Sequence, residues 1–324
     1  MRGQQGEKTF PTESVVVASI PAMKDEQRPR IPVSRRGFLS SAAAGAVAAA
    51  TGPLAGRADE EAGKKNRWEM RLSTSTIQFS SLPVEEAIAR IAGLGFDAVD
   101  VWSAHAGCPH LDDVANRLGA QGLVKCCKEN GVQLYAFSVY HGGYPRYAEL
   151  LGKAGGGVAV RGAARAGKPS ELAARMKKFL EGLKPDIELA GKHNSFIALE
   201  NHGGNILNSL AGLKAFVDHN PSKRLGIALA PYHLQGAGVS VPEAIRTVGE
   251  SLLFFYAWQR GKGLQQLPGH GPADCTPWLA ALAEAGYARY VNPFMHHEPP
   301  PDEMAKALKK SRDYLMECCR KAAV

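Results

Sequence analysis

The sequence predicts an α/β protein, specifically a single-domain (β/α)8 (TIM) barrel preceded by an N-terminal signal segment. Apolar runs alternate with amphipathic helical patterns between Trp68 and Ala322, which indicates strands followed by helices. Runs such as SFIALE and LLFFYAW are continuously apolar, as expected of parallel strands buried on both faces. The length after residue 58 suits a barrel of roughly 250 residues. A doubly wound sheet is the alternative, but no GxGxxG motif opens the first helix.

The first half of the predicted barrel has strands at Arg71–Phe79, Phe96–Trp102, Val132–His141 and Val158–Arg161. The last of these is short and lies within the glycine-rich residues 152–168. Apolar residues spaced three and four apart predict the intervening helices at Val84–Ile91, Val114–Asn130 and Ser170–Gly191. Gly93 and Gly131 follow the first two helices, as is typical of helix ends.

The second half repeats the alternation, apart from an irregular loop before Thr276. Runs rich in β-branched and aromatic residues predict strands at Ser195–Glu200, Leu225–Ala230, Leu252–Trp258 and Tyr290–Met295. Amphipathic patterns predict helices at Ser209–His219, Pro242–Gly249, Thr276–Ala285 and Pro301–Ala322. We therefore expect one barrel domain over residues 68–322.

Composition favours a soluble globular protein, with 45% hydrophobic and 22% charged residues. The net charge is +8, but the first 58 residues hold eight basic and four acidic side chains and so carry half of it. The remaining excess is not grouped into Lys/Arg runs. The sequence therefore gives little support for a nucleic-acid partner.

The N-terminal segment resembles a twin-arginine export signal. SRRGFLS at Ser34–Ser40 is followed by the apolar run Ala42–Ala50, and Gly56 and Ala58 supply small residues for cleavage after residue 58. The alternative is a chance Arg-Arg pair before an alanine-rich helix. The run is too short for a stable membrane span. We expect residues 1–58 to be a flexible leader and the protein to be exported to the periplasm or beyond.

The six cysteines predict buried thiols rather than a metal clip. No CxxC motif occurs, and two pairs are adjacent, Cys126-Cys127 and Cys318-Cys319. Cys127 and Cys318 fall on apolar helical stripes, where free cysteine is commonly buried. A disulfide remains open for an exported protein.

Candidate site residues follow from the barrel geometry, because active sites of this fold lie at the carboxyl ends of the strands. Histidine is frequent there: six of the ten histidines follow strands, namely His105, His141, His202, His233, His296 and His297. Each alone is typical of a surface or core histidine, whereas six at one rim favour a polar pocket. Glu200 ends an apolar strand, where burying a carboxylate is costly, and this indicates a functional role for it.

Three segments at this rim resemble the xylose isomerase-like barrel superfamily, which includes sugar phosphate isomerases and epimerases. They are Ile197–His202 (IALENH), Gly226–His233 (GIALAPYH), and Leu267–Asp274 (LPGHGPAD) with the downstream YVNPF at Tyr290–Phe294. The resemblance runs from about Arg71 to the C-terminus. It implies a sugar isomerase or epimerase with a divalent cation, Mn²⁺, Mg²⁺ or Zn²⁺, at four strand ends. That cation polarises the sugar oxygens while two facing glutamates exchange protons.

Carried over residue by residue, the resemblance implies that three of the four metal ligands are replaced. Glu200 matches the first glutamate, but Ala230 stands at the aspartate, Tyr256 near the histidine and Asn292 at the final glutamate. His233, which contacts substrate in the family, is retained. The two-glutamate proton transfer therefore cannot run in its usual form.

We therefore expect a modified site. Glu200 and His233 are the predicted catalytic residues. The predicted substrate-binding residues are His105, Tyr140, His141, His202, Trp258 and Asn292. Glu200, His233 and His296 could form a rebuilt metal site, whose imidazoles would suit Zn²⁺.

Two functions remain open. The first is an exported isomerase or epimerase acting on a small carbohydrate through this modified site. The second is a catalytically inactive carbohydrate-binding barrel that keeps the pocket and its aromatic residues Trp102, Tyr140 and Trp258. A nuclease of the abasic-site type shares the architecture but needs more metal ligands and a basic face, so it is disfavoured.

Overall fold

The computed structural model describes residues 68–322. The predicted export signal and leader, residues 1–58, lie outside the described residues. Everything that follows concerns the described part of the chain.

Eight parallel strands form one closed barrel in sequence order, with β8 hydrogen-bonded to β1. They are β1 (Arg71–Ser75), β2 (Ala98–Trp102), β3 (Gln133–Ser138), β4 (Gly157–Gly162), β5 (Ser195–Glu200), β6 (Leu225–Leu229), β7 (Leu252–Ala257) and β8 (Tyr290–Pro293). The predicted closed (β/α)8 barrel is confirmed.

Eleven α-helices are present among the described residues and surround the barrel. They are α1 (Val84–Gly93), α2 (His110–Asp113), α3 (Gly119–Glu129), α4 (Gly143–Lys153), α5 (Leu172–Gly182), α6 (Lys184–Lys192), α7 (Leu210–His219), α8 (Pro231–Gly236), α9 (Val241–Val248), α10 (Thr276–Glu284) and α11 (Pro301–Lys321). None of them is long and apolar enough to cross a membrane.

Two predicted helices are divided in the structure. The pattern at 114–130 contains a π-helical turn over Val114–Leu118, and α3 begins only at Gly119, whose φ of +65° suits glycine. The pattern at 170–191 splits around Pro185, because proline has no amide hydrogen and its ring clashes with the preceding turn. Single helices over these ranges were therefore wrong.

Three helices were not predicted. α2 is a single turn that lies directly before the predicted start at Val114. α4 begins at Gly143 after a glycine N-cap and has a proline in its first turn, which obscured its apolar stripe of Tyr144, Tyr147 and Leu151. α8 is only six residues long and starts at Pro231, directly after β6. Several predicted strands also ended too late: Thr76–Phe79, for example, is a 3-10 turn rather than the end of β1.

The barrel interior is filled by side chains at alternate strand positions. Small residues such as Ala98, Ala198 and Ala228 line its middle, while Tyr135 stacks on Phe254 at the amino-terminal end, with ring centroids 5.1 Å apart. Large rings close the carboxyl end. A fully buried polar layer lies between, made of Ser73, Ser75, Asp100, Ser138 and Asn292.

The cysteines match the predicted buried thiols. Cys108, Cys126, Cys127, Cys275 and Cys318 are all buried, and none of these five forms a disulfide. Four of them pack in the outer apolar core, whereas Cys108 lies beside Trp102 at the carboxyl end of β2.

Candidate active site

A cavity of about 900 Å³ opens at the carboxyl ends of the strands. Seven of the predicted site residues line it, namely His105, Tyr140, Glu200, His202, His233, Trp258 and His296. Two do not. The His141 side chain is exposed outside the lining, and Asn292 is completely buried in the polar layer. The strand ends therefore bring most of the predicted residues to one mouth.

Glu200 and His233 form the centre of this cavity. Glu200 is the last residue of β5 and is 7% exposed. His233 lies in α8, which Pro231 starts immediately after β6, so the short helix turns the imidazole toward β5. Glu200 Oε1 and His233 Nε2 are 3.8 Å apart, and this nitrogen has no hydrogen-bond partner. A ligand oxygen could therefore bond to both groups.

The side chain of Asn201 fixes the end of β6 against β5. Its Oδ1 accepts from the Ala230 amide at 2.6 Å, and its Nδ2 donates to the Ala230 carbonyl at 3.2 Å. Both residues are completely buried. This two-point contact sets the position of α8, and with it His233.

Burial controls the charge of the cavity. It raises the pKa of Glu200 to about 7, although a hydrogen bond with Tyr140 and the nearby His202 offset part of the rise. Burial also lowers the pKa of His233 to about 3 and that of His296 to about 4, and neighbouring imidazoles add to both shifts. Near pH 7 these imidazoles are neutral, so His233 and Glu200 do not form an ion pair. Glu200 is poised to accept or release a proton.

Aromatic rings form one wall of the cavity. Tyr232 stacks on Trp258 at 4.3 Å, and Trp102 stacks on Phe294 at 5.3 Å between ring centroids. His296 packs with its edge against Trp102, Trp258 and Phe294. Such a wall presents flat apolar faces beside the polar Glu200–His233 pair.

Two phenols lie beneath Glu200. The hydroxyls of Tyr140 and Tyr256 are 3.2 Å apart, and both side chains line the cavity. Burial holds the pKa of each well above its usual range, so both are protonated near neutral pH. The Tyr140 hydroxyl also favours the ionised form of Glu200, because it lowers the pKa of that carboxyl. The pair therefore supplies neutral hydroxyl groups rather than charge.

The donor groups do not fit the cation that the fold implies. Ala230 offers no ligand atom, and Tyr256 is a protonated phenol. The amide of Asn292 is already engaged, since its Nδ2 donates to Ser73 at 3.1 Å and its Oδ1 lies 3.4 Å from Ser75 Oγ, whose shorter bond is to Asp100. Of the four ligand positions, only Glu200 keeps a carboxylate.

The predicted rebuilt metal site is not assembled either. Across residues 68–322, no group of three or more His, Cys, Asp or Glu side chains is arranged to hold a metal ion. His296 is held among the aromatic rings instead of joining Glu200 and His233. A metal site of Glu200, His233 and His296 is therefore not confirmed, and it stays a prediction.

Asp100 is the residue of interest that sequence reasoning missed. It is fully buried in β2, below Trp102 and on the same face of the strand. Burial raises its pKa to about 6, although hydrogen bonds from Ser75, Ser138 and Trp102 favour the ionised form. The available signal was an acidic residue inside the otherwise apolar strand AVDVW, two positions before a rim tryptophan.

Gln259 supports the rim from outside the cavity. Its Nε2 donates to the Leu267 carbonyl at 2.7 Å, and its Oε1 accepts from the Ala273 amide at 2.8 Å. The side chain thereby holds the PGHG loop against the end of β7. Gln259 is therefore a structural contact.

The sequence model of the family described as xylose isomerase-like TIM barrel matches residues 88–318. The chain belongs to this family. The match covers most of the chain and confirms the predicted superfamily. No curated protein sequence matches the chain.

Solved structures with the same fold include several sugar epimerases. The 3-keto-D-glucoside 4-epimerase of E. coli is 17% identical, with a TM-score of 0.58, and the match covers 76% of this chain and 100% of that one. A D-psicose 3-epimerase from Clostridium cellulolyticum H10, solved with D-tagatose, is 17% identical, with a TM-score of 0.56 and coverage of 78% and 99%. An L-ribulose 3-epimerase is 16% identical, with a TM-score of 0.59 and coverage of 79% and 96%. At these identities the likeness concerns the fold.

Proposed function

We propose that this member of the xylose isomerase-like TIM barrel family is a sugar isomerase or epimerase that works through a modified strand-end site. The observation that carries the proposal is Glu200: one buried carboxyl, with a pKa near 7, faces an unpartnered imidazole nitrogen inside a cavity lined by aromatic and polar side chains. The fold relatives named above, whose own substrates are sugars, support a carbohydrate as the ligand class.

The chemistry would be proton transfer next to a carbonyl group. Ionised Glu200 takes the proton from the carbon beside the carbonyl, which leaves an enediolate and a neutral carboxyl. The same carboxyl then returns the proton to the former carbonyl carbon, while the proton of the substrate hydroxyl passes to the former carbonyl oxygen, so that atoms and charge balance. His233 Nε2 lies where a substrate oxygen would bond, and the aromatic wall orients the ring and excludes water.

The single carboxyl favours isomerisation over inversion. Transfer between two adjacent carbons needs one group on one face of the sugar, whereas inversion at one carbon needs a second proton donor on the opposite face. Asn292 cannot release a proton, and its amide is bonded within the polar layer. We therefore favour an aldose–ketose isomerase within the proposed class.

Solvent exchange tests the proposal. The purified protein is incubated in D₂O with D-fructose, D-tagatose, D-psicose and L-ribulose in turn, and NMR follows deuterium at the carbons beside the carbonyl. Wild type should introduce deuterium into at least one sugar. Glu200→Gln should lower the rate by about 10²-fold or more, the usual scale of general acid–base catalysis. Glu298→Gln, outside the cavity lining, is the matched control and should retain the rate.

A binding barrel is the second candidate, and the aromatic wall favours it specifically. Stacked rings beside polar groups suit a sugar whether or not protons move. Calorimetric titration with the same sugars separates the two functions. Saturable binding with no deuterium incorporation in wild type would replace the enzyme proposal by the binding one.

We also propose export by the twin-arginine route, on the motif Ser34–Ser40 alone. In a bacterial host, the full chain should be recovered from the periplasm in a shortened form. Replacing Arg35 and Arg36 together by lysine should retain the protein in the cytoplasm. Equal periplasmic fractions for wild type and the double variant would contradict the proposal.

A further inference from the structure

A basic groove lies beside the candidate active site, and the chemistry proposed above makes no use of it. The groove has a volume of about 520 Å³ and shares Arg165 with the lining of the larger cavity. Among the residues that line it, none is acidic and four are basic, namely Arg161, Arg165, Arg175 and Lys178. An uninterrupted basic lining next to a candidate sugar site points to a ligand of opposite charge.

The basic groove draws its charge from one segment of the chain. Residues 161–178 hold six basic side chains and one acidic side chain, a net charge of +5. The chain after residue 58 carries half of the total of +8, so this segment alone exceeds the net charge of everything that follows the leader. Only Lys177 and Lys178 are adjacent, and the other basic residues are brought together by folding.

Helix α5 forms one side of the basic groove. Four of its residues lie at positions i, i+3, i+4 and i+7, which share one face of a helix, and they are Arg175, Lys178, Phe179 and Gly182. Two cations are therefore neighbours of a half-buried aromatic ring, and the glycine leaves space beside them. This face suits a ligand that joins a charged group to an apolar sugar face.

The loop after β4 joins the basic groove to the cavity. The Ala166 amide donates to the Gly204 carbonyl at 3.0 Å, and a second backbone bond to the loop after β5 flanks Arg165 on its other side. Arg175 Nη2 donates to the Arg165 carbonyl at 3.0 Å, which ties this loop to α5. The backbone of Arg165 is therefore held in place between the two cavities.

Three of the four cations have no acidic partner within residues 68–322. Arg161 forms an ion pair with Asp186, with 2.5 Å between nitrogen and oxygen. Arg165, Arg175 and Lys178 take part in no ion pair of the described chain. Like charges that line one groove repel each other, and a bound anion relieves this repulsion.

We propose that the basic groove binds an acidic group of the ligand, so that the substrate is a saccharide whose anionic unit is joined to the unit that reaches Glu200. Arg165 belongs to both linings, which allows one molecule to span them. The inference rests on the proposed function, because that function supplies the sugar class. Guanidinium groups bind carboxylates and phosphates through the same N–H donors, and the experiment distinguishes the two.

Calorimetric titration with matched disaccharides tests the inference. Lactobionate carries a carboxylate that lactose lacks, and trehalose 6-phosphate carries a phosphate that trehalose lacks. At low ionic strength, wild type should bind at least one anionic sugar about tenfold more tightly than its neutral partner. The ratio should fall in about 0.5 M NaCl, because salt screens exposed charges. The pair that shows the preference identifies the acidic group.

Variants locate the preference in the basic groove. Arg175→Gln and Lys178→Gln should each lower the ratio of anionic to neutral affinity roughly three- to tenfold. Lys177→Gln is the matched control, since it removes the same charge from an exposed position of the same helix outside the groove lining, and it should keep the ratio. His233→Ala should weaken both members of the pair, because His233 lies at the cavity end of the ligand.

Three results would overturn the inference. They are equal affinity, or no measurable binding, for both members of each pair in wild type, a preference that survives when Arg175 and Lys178 are both replaced by glutamine, and an equal loss of preference in Lys177→Gln. Lys178→Gln decides the matter if Arg175→Gln disturbs the loop. Absence of deuterium exchange in wild type defeats the proposed function separately, and the anion preference then still decides what the basic groove binds.

Discussion

Glu200 places an ionisable group where water has little access, and the protein bears a stability cost for it. The folded carboxyl has a pKa of about 7, against 4.5 for its ordinary value. Between these two values the folded protein binds a proton that the unfolded chain does not. Stability is therefore lost as the pH rises through this window: the cost is absent below 4.5 and complete above 7.

Glu200→Gln should remove this pH-dependent cost. We expect the free energy of unfolding of the variant, relative to wild type, to rise by on the order of 3 kcal/mol between pH 4.5 and pH 8. Urea unfolding at the two pH values measures it. Glu86→Gln, at an exposed position in α1, is the control and should give no such change. A constant difference between Glu200→Gln and wild type at both pH values would contradict the assignment.

Individual residues differed in how far the sequence could predict them. Glu200 and His233 could be predicted because each follows an apolar strand, where a polar side chain faces the mouth of a barrel. Asp100 could not, because its meaning depends on Ser75 and Ser138, which come from other strands. His141 follows a strand too, yet its side chain points outside the cavity lining.

Among the elements, the end of β6 depends most on a single side chain. Asn201→Ala would leave the buried amide of Ala230 unpaired, while the Ala230 carbonyl keeps the hydrogen bond that the His233 amide donates to it. We expect a loss of about 1–3 kcal/mol in the free energy of unfolding, which is the usual cost of one unpaired buried group. Urea denaturation measures this, and Asn220→Ala, at a half-buried turn with two local bonds, should cost less. Equal small losses of stability in the two variants would contradict the role of Asn201 in holding the end of β6.

Element boundaries were predictable where packing and local sequence agree. β5 matched at both ends, and α7 begins one residue after its N-cap, Ser209, whose Oγ accepts from the Gly212 amide. The short α8 was missed because six residues carry too little periodicity to be recognised. Since α8 carries His233, the distance of that imidazole from Glu200 could not be derived from sequence.

At the scale of the whole molecule, the replacement of three of the four family metal ligands predicts that divalent cations do not change the free energy of unfolding. A cation bound with a Kd of about 1 μM would add about 4 kcal/mol at 1 mM, which is a shift of several degrees in Tm. We expect thermal melts with EDTA and with 1 mM Mg²⁺, Mn²⁺ or Zn²⁺ to coincide. Ala230→Asp, Tyr256→His and Asn292→Glu together restore the family ligands and provide the comparison. A wild-type Tm that rises with any of these ions would contradict the conclusion that the side chains of the cavity do not fit a divalent cation.

The volume of the cavity bears on the length of its ligand. At about 900 Å³ it lies near the upper end of the range of roughly 300–1,000 Å³ found for small-molecule sites. Part of the lining has little side-chain bulk, at Gly203, Gly204, Gly261 and Gly263. The absence of side chains at these four positions leaves space beside the Glu200–His233 pair, so a ligand bound at the carboxyl could extend along the glycine-bearing part of the cavity.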